Sequence, residues 1–308
     1  MRVLPILLLI SGILLTNQGC PKQGDAAAPR RTVVVATPDV KSPFITQLVH
    51  EFERATTTFD LRVTEVGQES SMLEAVERGE ADVALTGADH AYFAYREALQ
   101  GGARLSNLRA MAALQVIPLH LLLRPGIRDI SDLQGRNVGT NSVSRQLVKL
   151  LLAEFDLTPL QLHILPPDLA LRRLGEGDLD GVFYPALSTP AIEAALRRGA
   201  RLMPIEGSAV GRLRRAYPFV RFVSIPEATY GGQTVPVHTL GVALVYVCRR
   251  DLDEQLVYEL TKLLFDVLPR LNAHSLPLHL VDVKEASATP IPLHEGSARY
   301  YREQELRP

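Results

Sequence analysis

The chain has 308 residues, of which 46% are hydrophobic and 22% charged, and its formal net charge is −1. This length allows one large domain or two ordinary ones, and the composition is that of a folded globular protein. A net charge near zero argues against a nucleic-acid-binding protein, which usually carries a basic surface, so we expect no nucleic-acid partner.

The N-terminus has the pattern of an export signal. Arg2 precedes the apolar run "VLPILLLISGILL", which is too short to span a bilayer comfortably, so we assign residues 1–19 to a signal peptide. The small residue before Cys20 resembles the lipobox of bacterial lipoproteins, which implies a lipid anchor at Cys20. Asn17 stands where a leucine is usual, and secretion without lipidation is the alternative. The polar segment 20–30 suits a flexible tether, and we expect an extracytoplasmic protein.

The segment that follows predicts alternating strands and helices. Ser70 or Ser71 is a candidate helix N-cap, and Gly79 is a candidate helix end. This alternation predicts βαβ units and a mostly parallel sheet. In chain order the predicted elements are strand "RTVVVAT", helix "SPFITQLVHEFERAT", strand "FDLRVTEV", helix "SSMLEAVERG", strand "ADVALTG" and helix "ADHAYFAYREAL".

A second module of the same kind is predicted to begin near Leu119. Its helix "SVSRQLVKLLLAEFDL" carries Val143, Leu147, Leu150 and Leu151 on one side. Around it we predict strands "PLHLLLRPG", Asn137 to Gly139, "QLHILP", "LDGVFYP" and "ARLMPI", with helices "DLALRRLGEG" and "STPAIEAALRRG".

One short pattern occurs in both modules. Gly79-Glu-Ala-Asp82 and Gly177-Asp-Leu-Asp180 each follow a predicted helix and precede an apolar strand that ends in a polar loop. The surrounding elements have the same order, which indicates two similar α/β domains. Ligands of open α/β sheets lie beyond the carboxyl ends of the strands, so two such domains facing each other would form a cleft.

The chain then returns to the first domain. "VPVHTLGVALVYVCRR" predicts a strand, in which Cys248 is a buried core residue, and "DEQLVYELTKLLFDVLPRL" predicts a long helix. We expect lobe I to contain residues 31–118 plus 240–308 and lobe II residues 119–239. The two crossings would act as a hinge.

Several segments resemble the TAXI-type solute-binding proteins of TRAP transporters. They are "LEAVERGEADVALTGADHAYFAY", "LRAMAALQVIPLHLLLRPGIRDISDLQGRNVGTNS", "YPFVRFVSIPEATYGGQTVPVHTLGVALV" and "IPLHEGSARYYRE". The resemblance implies a two-lobed α/β fold of the periplasmic-binding-protein type (type II, Venus flytrap). It also implies an extracytoplasmic receptor for a small organic anion or amino acid, such as glutamate, which is passed to a membrane permease.

The chain departs from this family at two expected ligand loops. The family's first loop is glycine-rich with paired tyrosines, whereas Ser42, Phe44 and Ile45 stand at those positions here. The family's second loop is usually Gly-Pro-Pro-Gly-Ser-Gly, whereas this chain has "GTNSVSRQ". A different ligand, or an orphan receptor that serves a sensor, therefore remains an alternative.

The candidate ligand residues follow the strands. In "GTNSVSRQLVKLL" the N-terminus of a helix suits a carboxylate, and Ser142 or Ser144 could instead cap that helix. An arginine in a first helical turn opposes the helix dipole, which favours an anionic partner for Arg145. The full set is Thr37, Ser42, Phe44, Thr86, Gly87, Asp89, Asn141, Ser142 and Arg145, with Tyr184, Tyr230 and Thr239 added by the family pattern.

Motifs of enzymatic chemistry are lacking in the sequence. It has no HExxH, GxGxxG, GxxxxGK[ST] or GxSxG motif, and His120 and His279 lie in strand-like contexts where structural histidines are common. Asp82 and Asp180 favour turn or capping roles. We expect no catalysis, no cofactor and no metal. The sequence predicts a binding protein for a small carboxylate-bearing solute, an amino acid such as glutamate or glutamine or an organic acid, with a TRAP-type permease as partner. The alternative is a ligand-sensing periplasmic protein that acts through a signalling partner.

Overall fold

The computed structural model describes residues 30–37, 40, 43–66, 69–99, 105–157, 161–186, 190–274 and 283–305. The strands are β1 (Arg31–Thr37), β2 (Phe59–Glu65), β3 (Val83–Gly87), β4 (Leu108–Leu123), β5 (Asn137–Thr140), β6 (Gln161–Ile164), β7 (Gly181–Pro185), β8 (Arg201–Met203), β9 (Val220–Ile225) and β10 (Val237–Arg249). The helices are α1 (Pro43–Ala55), α2 (Glu69–Arg78), α3 (Ala88–Leu99), α4 (Arg145–Glu154), α5 (Pro167–Glu176), α6 (Pro190–Arg197), α7 (Ser208–Ala216), α8 (Glu254–His274), α9 (Val283–Ala286) and α10 (Glu295–Glu305).

The predicted repetition of an α/β unit is confirmed. In the first unit β1 pairs in parallel with β2 and with β3, which gives the order β2-β1-β3. In the second unit β5 pairs in parallel with β6 and with β7, which gives the order β6-β5-β7. Each unit is therefore a strand-helix-strand-helix-strand segment whose first strand lies in the middle.

Two long strands, β4 and β10, join the two units into one path, β2-β1-β3-β10-β4-β7-β5-β6. β4 pairs with β10 as far as Pro118 and with β7 from Leu119 onward. The prediction that a strand begins at Pro118 was wrong, because β4 already begins at Leu108. Pro118 marks the change of pairing partner rather than the start of a strand. The predicted lobe boundaries fall inside β4 and β10 and stay predictions.

β4 and β10 approach each other closely where they cross between the units. A Cβ atom on Gly241 would lie 2.5 Å from the carbonyl oxygen of Ile117 and 2.7 Å from Val116 Cγ1. The hydroxyl of Thr239 donates a hydrogen bond of 2.6 Å to the carbonyl of Leu119. The crossing therefore depends on a residue without a side chain and on one buried polar contact.

Helices cover both faces of each half of the sheet. In the first half α2 and α3 pack on one face, and α1, α8 and α10 pack on the other. In the second half α5 and α6 cover one face, and α4 and α7 cover the other. Cys248 is buried in the first half, as predicted, and burial raises the pKa of its thiol. In the described part of the chain, no helix combines the length and the apolar character needed to cross a membrane.

The C-terminal segments complete the first half. The hydroxyl of Tyr301 in α10 donates a hydrogen bond of 3.0 Å to the carbonyl of Met111 in β4. The backbone N–H of Ala110 donates to the carbonyl of Pro292, 2.9 Å away. The last residues of the chain thus hold a strand that comes almost 200 positions earlier, as the returning chain led us to expect.

Two details differ from the sequence predictions, and a third agrees with them. α2 begins at Glu69, so Ser71 lies inside the first turn, and neither Ser70 nor Ser71 is the N-cap. Val143 precedes α4 and is exposed, so it does not belong to the buried face of that helix. Gly79 has a φ of 76°, the left-handed conformation that glycine adopts easily at a helix end, so the predicted end of α2 is confirmed.

Candidate functional site

The carboxyl ends of β3 and β7 face each other along β4. Gly87, the last residue of β3, is registered with Leu244 of β10, and Leu244 lies opposite a bulge in β4 at Leu114 and Gln115. Pro185, the last residue of β7, is registered with Leu119 of β4. β3 runs in the same direction as β4 because both are antiparallel to β10, whereas β7 runs against β4. Gln115 and Leu119 are four residues apart, which corresponds to about 13 Å along an extended strand.

The first-half end of this gap carries a buried carboxylate. Asp89 lies in the first turn of α3 and is 4% exposed. A Cβ atom on Gly87 would lie only 2.5 Å from Asp89 Oδ1. Because glycine has no Cβ, the Asp89 carboxylate can lie against the end of β3. His90 Nδ1 lies 3.8 Å from Asp89 Oδ1, an ion pair when His90 is protonated. Thr86 is buried beside them. Thr86, Gly87 and Asp89 therefore lie at the carboxyl end of β3, and their contact with a ligand stays a prediction.

β1 supplies the other candidates of the first half. Thr37 ends β1, is buried, and its carbonyl accepts a hydrogen bond from Val66 N–H. Phe44 belongs to α1, but its side chain is not among those that the structure describes. Ser42 lies outside the described residues. Cys20 and His279 also lie outside the described residues.

The loop between β5 and α4 lies at the same edge of the sheet as the end of β7, because β5 pairs in parallel with β7. Asn141 Oδ1 accepts hydrogen bonds from the backbone N–H of Ser144 at 2.9 Å and from its hydroxyl at 2.7 Å. The Ser144 hydroxyl also lies 2.8 Å from Thr140 Oγ1. Ser144 occupies the N-cap position of α4, but its own side chain makes no capping bond. The amide oxygen of Asn141 is thus engaged within the loop, and its Nδ2 donor is the group left for a ligand.

Ser142 and Arg145 are exposed at this loop. Arg145 is the first residue of α4, and we find no ion pair to it among the described residues. A guanidinium, an amide N–H and the N-terminus of α4 therefore give the second-half end hydrogen-bond donors and positive charge. These groups suit an anion, whereas the first-half end offers the Asp89 carboxylate.

Tyr184 and Tyr230 lie near His120 in the second half. His120 is registered with Tyr184 across β4 and β7. The hydroxyl of Tyr230 and His120 Nε2 are 2.8 Å apart, and both residues are buried. Burial lowers the pKa of His120 to about 4, against smaller opposing effects of the backbone at Pro118 and Tyr184. The Tyr230 hydroxyl is directed at His120, and a structural role for His120 stays a prediction. A ligand contact by Tyr184 or Tyr230 stays a prediction.

Thr239 lies at the crossing of the two long strands, with its hydroxyl proton donated to the carbonyl of Leu119. It also lines an open cavity of about 430 Å³ together with Glu206, Phe222 and Ser224. Through Leu119, which is registered with Pro185, Thr239 lies beside the carboxyl end of β7. Its predicted contact with a ligand stays untested.

Sequence reasoning missed Gln115. Its side chain is 4% exposed, and its Oε1 atom is buried without a hydrogen-bond partner among the described residues. It lies in the bulge of β4, level with the carboxyl end of β3. The available signal was that Gln115 is the one polar residue in the run "MAALQVIP".

The repeated aspartates have structural roles, as predicted. Asp82 Oδ2 accepts a hydrogen bond of 2.9 Å from Val34 N–H, and Asp180 Oδ2 accepts one of 3.0 Å from Asn137 N–H. Burial alone would raise the pKa of Asp180, but hydrogen bonds from Arg124 and Asn137 outweigh it and lower that pKa. Both aspartates precede their strands, so they lie at the ends opposite to the gap. They tie each third strand to the central strand of its unit.

The fold is similar to those of several solved structures. A protein from Bordetella bronchiseptica RB50 has 12% sequence identity over 90% of this chain and 98% of its own, with a TM-score of 0.53. An ancestral arginine-binding protein bound to arginine has 13% identity over 79% of this chain and 97% of its own, with a TM-score of 0.50. The aliphatic sulphonate binding protein SsuA from Escherichia coli has 17% identity over 90% and 91%, with a TM-score of 0.49.

The mixed α/β architecture is therefore that of a periplasmic-binding-protein-like fold, as predicted. A model of one protein family also matches the sequence, from residue 47 to residue 304. This match begins in α1 and ends in α10, so it includes the strands from β2 to β10, among them both crossing strands, and the whole second α/β unit, but not β1. On this evidence, the protein is a member of the NMT1-like family.

Proposed function

We propose that this protein is an extracytoplasmic solute-binding protein that captures a small carboxylate-bearing solute. The observation that carries the proposal is the gap between the carboxyl ends of β3 and β7, which has polar groups on both sides. Open α/β sheets bind ligands at such ends, and a solute that contacts both sides would favour a closed conformation. The fold shared with an ancestral arginine-binding protein supports this proposal.

The chemistry of the second-half end favours a carboxylate. The first turn of α4 has backbone N–H groups without a capping bond from Ser144, and Arg145 adds a guanidinium. Arg–carboxylate hydrogen bonds are charge-assisted and often bidentate. An amino acid or an organic acid provides the matching group.

The proposed permease partner, export, lipid anchor and lack of turnover are supported by the sequence. The similarity to TAXI-type proteins supports delivery of the solute to a TRAP-type permease. The N-terminal segment supports export and a lipid anchor at Cys20. The absence of catalytic motifs from the sequence supports binding without turnover. An orphan receptor with a signalling partner would use the same site and differ in the protein it contacts.

The first experiment is native mass spectrometry of the chain from residue 21 onward, as purified and after unfolding and refolding. We expect a released small acid or amino acid, whose mass stays unchanged on incubation with the protein. Calorimetry with a panel of amino acids and organic acids then measures affinity. A protein that binds no member of the panel, or that converts its ligand, would contradict the proposal.

Arg145→Gln is the variant that tests the carboxylate subsite. Removing a charge-assisted hydrogen bond of about 1.5–3 kcal/mol should weaken binding of the solute about ten- to a hundredfold. Arg172→Gln is the matched control, because Arg172 is also an exposed helical arginine of the second half but lies in α5. Equal affinities for the two variants would show that Arg145 does not contact the solute.

A further inference from the structure

We infer that Gln115 is a ligand-contacting residue whose amide oxygen accepts a hydrogen bond from the solute. The solute must then carry an N–H or O–H donor as well as its carboxylate, as amino acids do and simple organic acids do not. This inference rests on the proposed function and narrows it to a class of solute.

The burial of Gln115 calls for such a partner. The side chain is 96% buried, and its Oε1 atom has no hydrogen-bond partner in the described part of the chain. Buried side-chain oxygens in native proteins are nearly always hydrogen-bonded, and an exception usually has an explanation in function. A group that becomes paired when the solute binds is such an explanation.

The position of Gln115 in β4 puts its backbone level with the carboxyl end of β3, at the edge of the gap. Two residues of β4, Leu114 and Gln115, lie opposite the single residue Leu244, so the strand is bulged there. Bulges redirect side chains and occur frequently beside functional sites. Leu244 is in turn registered with Gly87, and helix α3, whose first turn carries Asp89, begins directly after Gly87.

The charges at the two ends of the gap give the site a direction. The first-half end presents acceptors, namely the amide oxygen of Gln115 and the carboxylate of Asp89. The second-half end presents donors, namely Arg145 and the Nδ2 group of Asn141. A zwitterion fits this arrangement with its ammonium group toward β3 and its carboxylate toward α4.

Tyr246 provides a matched control inside the same protein. Its hydroxyl is also buried without a hydrogen-bond partner among the described residues. It belongs to the apolar cluster between the first half of the sheet and helices α1 and α8, and lines a small apolar cavity there with Val35 and Phe52. Both residues therefore carry a buried polar atom without a hydrogen-bond partner among the described residues. That of Tyr246 lies in the apolar core, whereas Gln115 lies beside the gap.

The first test is the thermal stability of the ligand-free protein. Gln115→Met removes an unpaired buried polar group while keeping the length of the side chain, so the melting temperature should rise by roughly 2–4 °C. Tyr246→Phe should give a similar rise. A fall in the melting temperature of Gln115→Met would mean that the amide has a structural partner, and would overturn the inference.

The second test is calorimetry with matched solutes: L-glutamate and glutarate, L-glutamine and glutaramate, and L-phenylalanine and 3-phenylpropionate. The wild-type protein should bind at least one amino acid ten- to a hundredfold more tightly than its partner without the amino group. Gln115→Met should lose most of this preference by weakening the amino acid alone. Tyr246→Phe should keep the wild-type preference.

Four results would overturn the inference. Gln115→Met could leave the affinity for the amino acid unchanged, or weaken both members of a pair equally. The wild-type protein could bind an acid without the amino group as tightly as its amino acid, in which case the proposed function stands and only the role of Gln115 fails. Binding of no panel member would remove the proposed function and this inference with it.

Discussion

His120 shows how burial fixes the chemistry of a single residue. The ring lies in β4 with its Nε2 atom 2.8 Å from the Tyr230 hydroxyl, and only 1% of the residue is exposed. Burial lowers the pKa of His120 to about 4, below the ordinary value of 6.5. The folded protein therefore resists protonation of His120 in a range of pH where the unfolded chain accepts the proton.

We predict that the free energy of unfolding decreases as the pH falls from 6.5 toward 4. The unfolded state binds a proton at His120 in this range and the folded state does not. Protonation therefore favours the unfolded state, and the free energy of unfolding is full above pH 6.5 and decreases between pH 6.5 and about 4. A shift from 6.5 to about 4 corresponds to about 3 kcal/mol at most. Urea unfolding at pH 7 and pH 4.5 measures the difference for the wild-type protein and for His120→Gln.

His120→Gln should reduce the pH dependence, and His238→Gln, at an exposed position, should leave it unchanged. Burial also lowers the pKa of His294, so part of the dependence should remain in every variant. If wild-type protein and His120→Gln lose equal stability between the two pH values, His120 does not remain neutral in the folded protein.

For single residues, the sequence was sufficient where a role depends on neighbours in the chain, as for the two repeated aspartates. It was not sufficient for Gln115, whose position depends on how two strands pair. Asp82 and Asp180 were expected in turn or capping roles rather than catalytic ones, and each accepts a hydrogen bond from the neighbouring strand. Gln115 could not be assigned, because its importance comes from a bulge opposite Leu244. The spacing of residues in β4 alone does not contain that information.

Among the elements, the repeated strand-helix pattern could be predicted from the sequence, whereas the full length of β4, the first of the two crossing strands, could not. β1, α3 and β10 were predicted closely, because apolar periodicity and glycine or charged residues mark their ends. β4 was predicted only from Pro118 onward, because a proline in a strand usually marks an edge or a start. Here the position of Pro118, at the change from β10 to β7, satisfies that preference within a continuous strand.

We predict that Gly241→Ala destabilises the crossing of β4 and β10. The new methyl group would lie 2.5 Å from the carbonyl oxygen of Ile117, and a backbone atom in a paired strand cannot move away easily. Overpacking of this kind costs about 1–3 kcal/mol, which chemical denaturation measures. The control is Gly175→Ala in α5, where the nearest atom of another residue, Arg198 Cδ, is 3.9 Å away. That variant should gain up to about 1 kcal/mol of helix stability, and equal effects would contradict the prediction.

For the molecule as a whole, the two halves share strands rather than a flexible linker. β4 leaves the first half and enters the second, and β10 returns, so the gap between β3 and β7 is bounded by two backbone segments. The order of the halves was predictable because the α/β pattern repeats. Asp89, Asn141 and Arg145 were candidates from the sequence, whereas Gln115 was not, because its position depends on the bulge in β4.

We predict that Tyr301, close to the C-terminus, is essential for the stability of the first half. Its ring lies in the cluster of α1, α8 and β1, and its hydroxyl bonds the carbonyl of Met111. Tyr301→Ala should lose about 3–5 kcal/mol of unfolding free energy, and Tyr301→Phe about 1–3 kcal/mol, because the Met111 carbonyl loses its partner. A wild-type denaturation midpoint for Tyr301→Ala would show that the C-terminal helix is not part of the folded core.

The return of β10 to the first half also determines when each half can fold during synthesis. All strands of the second unit lie between residues 119 and 203, so they are available while the ribosome is still making the last third of the chain. β1, β2 and β3 are made first, but β10, α8 and α10, which complete their sheet and cover one face, are made last. The first half must therefore wait for the C-terminus, and the nascent chain exposes apolar strands for most of translation. A chain whose first half stays incompletely folded until its synthesis ends remains a substrate for chaperones until then.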